Sequence, residues 1–402
     1  MSNLYRFFLL IGIIVFAACG TIQTKNDKLS QMNNNKTASE ILGNPKYLAI
    51  SYGGYREISR DIQPTIPQLK NDMKILAAMG IKVFRTYNTH YKQAANLLQA
   101  ISELKAEDTD FEMYVMLGVW IDCQNAWTDK QPNHDAEDEE ANTSEIQRAV
   151  DLANKYPDIV KIIAVGNEAM VKWAASYFVQ PNVILKWVNH LQELKKTNKL
   201  DKDLWITSSD NFASWGGGDP LYHCEDLENL IKAVDYVSMH TYPMHDTHYH
   251  PVFWGTDTEE VNLSKKEIVE RAMQRSVTYA KGQYDSSAKY IHGIDSTKEI
   301  HIGESGWASA SAGFYGANGS KACDEYKEGL YYKLMRDWTN AEGISCFYFQ
   351  AFNEKWKDAL NPGGSENHFG LFKINGEAKN AVWDLVDQRA FEGLPRKGNS
   401  II

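Results

Sequence analysis

No Cys-x-x-Cys pair occurs among the five cysteines, no His-Glu-x-x-His helix is present, and no Gly-x-Gly-x-x-Gly follows the first strand-like run. These absences argue against a cysteine zinc knot, a helical metalloprotease site and a doubly wound dinucleotide-binding fold. Positive charge is also short. Lys and Arg number 42 against 52 Asp and Glu, a net charge of -10, which disfavours nucleic acid or an anionic membrane surface as the main partner. What remains is an ordinary folded composition of 402 residues, 43% hydrophobic and 23% charged, long enough for one large α/β barrel or two medium domains. Aromatics are plentiful, with 11 Trp and 21 Tyr, and such rings suit either sugar faces or a barrel core.

The N-terminus reads as an address. Arg6 precedes the apolar run Phe7 to Phe16, which is too short for a permanent transmembrane helix, and small Ala17 and Ala18 stand just before Cys19. That arrangement resembles the lipobox of bacterial lipoproteins, in which the Cys thiol is lipidated; an ordinary cleaved signal with an incidental Cys is the plainer alternative. Residues 1–18 are therefore expected to be a lipoprotein signal peptide. Residues 19–39, rich in Asn, Gln, Lys, Thr and Ser, are expected to be a flexible tether, and residues 40–395 the folded domain. The expected location is the bacterial cell envelope, on its periplasmic side or the cell surface, touching membrane only through the lipid. The other four cysteines are expected to be free thiols, although an exported protein permits disulfides.

Short β-branched and aromatic runs recur at 47–52, 81–87, 111–119, 159–165, 204–208, 234–240, 299–303 and 343–349. Between them lie helical faces, such as Ile66, Leu69, Met73 and Leu76, then Ile184, Val188, Leu191 and Leu194. Further helices are expected at 94–104, 145–154, 225–233, 265–280, 323–338 and 378–388. This repeated alternation predicts a single (β/α)8 TIM barrel, whose chemistry sits where strands end.

Two strand ends deliver carboxylates. The fourth runs out as Gly166-Asn167-Glu168 and the seventh as Gly303-Glu304-Ser305-Gly306-Trp307. A Glu directly after a buried strand must be paired or desolvated, a setting that drives two carboxyl pKa values apart. Paired Glu residues suggest glycosidase chemistry, in which retaining enzymes hold the carboxyls about 5 Å apart. The competing structural reading makes each Glu a helix cap or a partner of Arg85.

Taken with Gly-Asn-Glu and Glu-Ser-Gly-Trp, the segments Ser51-Tyr52-Gly53, Arg85-Thr86-Tyr87, Thr241-Tyr242-Pro243, Phe352-Asn353-Glu354-Lys355-Trp356-Lys357 and His368-Phe369-Gly370-Leu371-Phe372 occur in an order that resembles glycoside hydrolase family 17. That family belongs to the clan of barrel-shaped retaining glycosidases, and the likeness spans about residues 47–379. It implies a β-1,3-glucanase of the bacterial laminarinase kind, with Glu168 as general acid/base and Glu304 as nucleophile. By the same resemblance Asn167 bonds the sugar 2-hydroxyl, Arg85 and Tyr242 hold Glu304 ionised, and Glu354 and Lys357 stand near the sugar. Each has a plainer alternative: a turn Asn, braces of the barrel, an exposed loop ion pair.

Among rim aromatics, Tyr52, Tyr87, Trp120, Trp127, Trp173, Phe212, Trp215 and Trp307 are stacking candidates, Trp307 foremost, with a share of them expected in the core. His240, His245, His248 and His250 cluster near Asp246, but their loop-like spacing predicts a polar cleft wall rather than a metal site. The acidic run from Asp135 to Glu140 reads as a solvated insertion that binds nothing. No cofactor is expected, and the partner is a β-glucan polysaccharide or oligosaccharide.

Three functions follow: a lipid-anchored β-1,3-glucan hydrolase, a transglycosylase on the same barrel, or a non-catalytic glucan-binding lipoprotein. Intact Glu168 and Glu304 speak against the last. Cys19→Ser is expected to release the protein from membranes in fractionated cells, and unchanged retention would refute lipidation of that thiol.

Overall fold

In the computed structural model, residues 36–256, 258–396 and 399–400 are described. The expected signal peptide, most of the tether and Cys19 lie outside them. Eight parallel strands close into a barrel: β1 (Leu48–Ser51), β2 (Ile81–Arg85), β3 (Tyr114–Val119), β4 (Val160–Asn167), β5 (Trp205–Asn211), β6 (Val237–His240), β7 (Ile300–Gly306) and β8 (Cys346–Phe349). Each pairs with its neighbours in sequence, and β8 returns to β1. All eight expected strands are present, because continuous β-branched runs buried on both faces have no other home.

Seven long crossover helices cover the barrel: α1 (Ile66–Ala78), α2 (Lys92–Glu107), α3 (Glu139–Lys155), α4 (Pro181–Lys196), α5 (Glu225–Ala233), α6 (Lys265–Ile294) and α7 (Glu325–Ala341). Side chains start them. Thr65 and Gln68 form a capping box on α1, Ser264 and Glu267 another on α6, and Asp138 and Asp324 cap α3 and α7. Helix α6 runs well past the expected 265–280, because Gln283, Ser287 and Ile291 continue its buried face with polar residues that interrupt the apolar pattern. The expected helix at 378–388 is only a 3-10 turn, Asn380–Val382, followed by Trp383–Asp387.

Period-two alternation divides the core. Ala49, Val83, Tyr114, Met116, Ile162, Ala164, Tyr236 and Phe347 form one buried cluster, while Ile50, Phe84, Val115, Leu117, Ile163, Ile206, Met239 and Ile302 join a second that includes the crossover helices. The first cluster also holds Ala38 and Ile41 from a short helix, Ala38–Ile41, which starts in a Thr37–Glu40 capping box, and Leu42, which follows it. The chain is therefore packed against the barrel before the expected boundary at residue 40. Cys123, Cys224, Cys323 and Cys346 are free thiols.

A second constraint ties β1 to the C-terminal segment. Asp72 on α1 is fully buried and accepts from Tyr52 (2.8 Å), Arg56 (2.7 Å) and the Nε of Arg396 (3.1 Å). Arg396 also lies 3.8 Å over the Phe352 ring. Removing the carboxylate would leave two buried guanidinium groups facing each other's charge. Asp72→Ala is expected to cost about 3–5 kcal/mol in denaturant unfolding, with Asp72→Asn milder; a loss below about 1 kcal/mol would contradict this account.

Candidate active site

Glu304, near the C-terminal end of β7, is 7% exposed and held at both carboxylate oxygens. Oε2 accepts from Arg85 Nη1 at 2.7 Å and from the Tyr87 hydroxyl at 2.6 Å; Oε1 accepts from the Tyr242 hydroxyl at 2.6 Å. Burial alone would raise its pKa, but the Arg85 guanidinium and the hydrogen bonds from the two phenols outweigh it, and the carboxyl is held below its ordinary value. An ionised, fixed carboxylate results. Arg85 itself is 1% exposed and also donates to the Gly303 carbonyl at 2.9 Å and to Asn167 Oδ1 at 2.5 Å. With its oxygen fixed in that way, Asn167 keeps its amide N–H groups for another acceptor.

Glu168 follows directly from β4 and is pushed the other way. Burial first, then the charge on Glu304, raises its pKa to about 8. Its backbone sits at φ 47°, after Gly166 at φ 83°, so the strand leaves the barrel through left-handed residues that turn the side chain back over the mouth. A Cβ on Gly166 would also meet the Ala169 Cβ at 2.9 Å. The Glu168 carboxyl is oriented by His240, whose Nδ1 lies 3.1 Å from Oε1. On the other ring edge Nε2 faces Arg85 Nη1 at 3.2 Å and Ser209 Oγ at 2.7 Å. Arg85 can only donate, which fixes Nε2 as acceptor and leaves the proton on Nδ1, pointing at Glu168. Burial holds this imidazole neutral down to about pH 3. The proton of an un-ionised Glu168 is thereby directed to Oε2.

Of the residues expected around the substrate, Arg85, Tyr87, Asn167 and Tyr242 thus converge on the two carboxyls. Others do not. Tyr52 is 1% exposed with its hydroxyl on Asp72, and Trp307 is fully buried, donating to the Ala322 carbonyl at 2.9 Å and packing on Tyr331. Both strand-end aromatics point into the packed shell rather than the cleft, because the strand's alternation assigns them there. Trp215 is equally buried. Glu354 is not in a loop ion pair either: buried beneath Gly53, it accepts from the Tyr55 amide at 3.0 Å and the Trp356 indole at 2.9 Å. Lys357 places its ammonium 4.5 Å over the Phe349 ring and 4.7 Å over Trp356, with Tyr87 at 5.7 Å, on the rim of the nucleophile's pocket.

His240 belongs to the acid's support, and its role was hidden in the sequence among four nearby histidines. These diverge: His245 stacks on Tyr242, His248 on Phe314, and His250 is exposed. Among the described residues no group of His, Cys, Asp or Glu converges as a metal site. Asp210 and Glu366 were also missed. Asp210 accepts from the Met170 amide at 2.7 Å and fastens the loop after Glu168, and Glu366 lies close enough to both carboxyls to add to the field there. The acidic run after β3 is more than a solvated insertion. Asn133–Glu137 pairs with Cys123–Gln124 as a hairpin, Asp138 caps α3, and Glu137 accepts from the Trp187 indole at 2.6 Å.

The family profile of the BtgE/BtgC glycoside hydrolase domain matches residues 49–370. A solved endo-laminarinase from Formosa Hel1_33_131 shares 66% identity, covering 91% of this chain and 93% of its own, with a TM-score of 0.90. A protein of Aspergillus niger named as the glucan endo-1,3-beta-glucosidase btgC is 22% identical over 86% of this chain but only 44% of its own length. The chain thus spans less than half of the Aspergillus relatives it matches. The Rhizomucor miehei beta-1,3-glucanosyltransferase, at 19% identity over 82% of this chain and 93% of its own, with a TM-score of 0.55, shares the fold.

The raised Glu168 pKa has a consequence for stability. Between the ordinary carboxyl value of 4.5 and about 8 the folded chain binds more protons at this site than the unfolded chain, so stability falls as pH rises through that window. Glu168→Gln is expected to gain stability over the parent progressively from pH 4.5 to 8 and to level off above. Denaturant midpoints measured across that range would test it; a gain independent of pH would exclude a buried, un-ionised Glu168.

Proposed function

Because the chain belongs to the BtgE/BtgC glycoside hydrolase family, we propose that it cleaves β-1,3-glucan at internal linkages, with Glu168 as general acid/base and Glu304 as nucleophile. The observation that carries this reading is the asymmetry of the carboxyl pair, one ionised in a cage of three donors and the other kept protonated within reach of the same cluster. The 66% identity with an endo-laminarinase over nearly the whole of both chains supports the linkage and the internal mode of attack.

In the first step Glu168 protonates the glycosidic oxygen while Glu304 attacks the anomeric carbon, forming a covalent glycosyl-enzyme with release of the leaving sugar. Esterification of Glu304 removes the negative charge that helps to raise the Glu168 pKa. The acid therefore becomes easier to ionise at the moment when it must act as a base, drawing a proton from water that attacks the same carbon. His240 keeps Glu168 oriented through both steps, and the free amide of Asn167 is the donor available to the sugar 2-hydroxyl.

We infer further that the chain stands with glycoside hydrolase family 17 and its clan of retaining barrels; Gly-Asn-Glu on β4, Glu-Ser-Gly-Trp on β7 and the Arg-x-Tyr of β2 support this. The proposed organisation remains a signal over residues 1–18, a tether anchored through a lipid on Cys19, and an exported catalytic barrel. Incubation with laminarin, a mixed-linkage glucan and cellulose tests the substrate, short glucose oligomers from laminarin being the expected product. Products longer than the substrate would favour transfer to a sugar over hydrolysis. Glu304→Ala is expected to lower kcat by at least about 10^3-fold while keeping the fold and much of the glucan affinity, since the nucleophile serves the transition state. Near-normal turnover in that variant would sink the assignment.

A further inference from the structure

Beside the carboxyl pair stands a group of aromatics that the chemistry above does not use. The register pairing Val119 with Val165 sets Trp120 level with Gly166, so it leaves β3 next to the strand end that bears Asn167 and Glu168. Trp120 and Trp127 both donate their indole N–H to one oxygen of Asp122, at 2.7 and 3.0 Å. Tyr177, from the loop that follows Glu168, stacks on Trp127 with ring centres 5.2 Å apart and planes 20° from parallel, and meets Trp120 at 5.0 Å. A backbone bond from the Cys123 amide to the Tyr177 carbonyl, 3.1 Å, joins the two loops. Trp127 is held at φ 60° in a turn closed by the Thr128 hydroxyl on the Asn125 carbonyl.

The exposure of this group is selective. Trp215 and Trp307 are fully buried, whereas Trp127 is 62% exposed although its polar N–H is already satisfied. What it offers to solvent is apolar ring, held still by a hydrogen bond and a stacked partner. Such a surface beside a polar cleft matches the C–H face of a pyranose, which a flat indole covers without any need for a hydrogen bond. Proximity to the acid is reflected in Tyr177, whose phenol is raised by burial and then most by the charge of Glu168.

We propose that Trp120, Trp127 and Tyr177 form a stacking platform for glucosyl units on the leaving-group side of the cleaved bond. This rests on the β-glucan reading given above. Glu168 delivers its proton to the leaving oxygen, and the platform grows from the same strand end and the loop after it, so a chain departing past Glu168 crosses these rings. The platform would also receive an incoming sugar acceptor, which makes it the place where hydrolysis and transfer compete.

The test compares the unaltered chain, Trp127→Ala and Trp127→Phe on laminarihexaose and on a 4-nitrophenyl β-laminaribioside, which has no glucosyl unit on the leaving side. For Trp127→Ala, kcat/KM on the hexaose is expected to fall about 3- to 10-fold more than on the aryl substrate, chiefly through KM, with Trp127→Phe recovering most of the difference. Equal losses on both substrates, or no loss on either, would overturn the platform. If the unaltered chain released nothing from laminarihexaose or laminarin, the glucan reading would fall, and this occupant with it; that outcome is recognisable without any variant.

Discussion

Arg85 brings a full positive charge into the mouth of the barrel, where stripping a guanidinium of water costs several kcal/mol unless a carboxylate and further acceptors replace the water. Glu304 at 2.7 Å supplies the opposite charge, and the Gly303 carbonyl, Asn167 and the His240 ring take further donors. Four strands are locked together by this one side chain, since Arg85 ends β2, Asn167 ends β4, His240 ends β6 and Glu304 stands on β7. His240, on β6, extends the chain of contacts to Glu168. The two carboxyls are therefore not independent residues that happen to share a cleft. They are the two ends of one buried hydrogen-bonded string.

The string explains why the carboxyls differ. Arg85 and two phenols touch Glu304 directly, whereas Glu168 receives neutral partners, the His240 imidazole and the Asn211 side chain, and lies within the field of Glu304. Had His240 been protonated, it would have stabilised an ionised Glu168 and removed the acid. Burial keeps it neutral, so the ring orients without charging. A neutral histidine thus serves the acid better here than a cation would.

Much of this was legible in the sequence because strand ends are. A carboxylate after a continuous apolar run has few places to go in a barrel, and so Glu168, Glu304, Arg85, Tyr87 and Tyr242 could be found from runs, spacing and family likeness. Trp307 and Tyr52 were misread for a related reason: Tyr52 continues the shell face of Ile50, and a register shift in β7 after Ile302 brings Glu304 into the mouth while Ser305 and Trp307 meet Tyr331 of α7, and no local feature distinguishes a stacking indole from a core one. His240 had no signal of its own among four histidines. Glu354 looked like a loop charge because the backbone amide and indole that bury it come from Tyr55 and Trp356, one of them nearly the whole barrel away in sequence. The hairpin after β3 was obscured by its acidic composition, since Glu137 is neutralised by Lys186 and covered by Trp187 from α4.

The catalytic face gathers features that work against folding: Glu168 in the left-handed region, an acid kept un-ionised above its ordinary pKa, and Asp210, which burial raises to about 6. Such features persist only where the surroundings over-determine them. Here that support comes from elements remote from the chemistry. The helix Ala38–Ile41 packs into the interior strand layer, and Asp72 binds β1, α1 and the C-terminal segment through two guanidinium groups and a phenol. Because every barrel strand is hydrogen-bonded to two others, rigidity at these points is transmitted around the closed sheet to β2, β4 and β7. Closure is what allows a strained, charged mouth to keep its geometry, which is the preorganisation that differential transition-state binding requires.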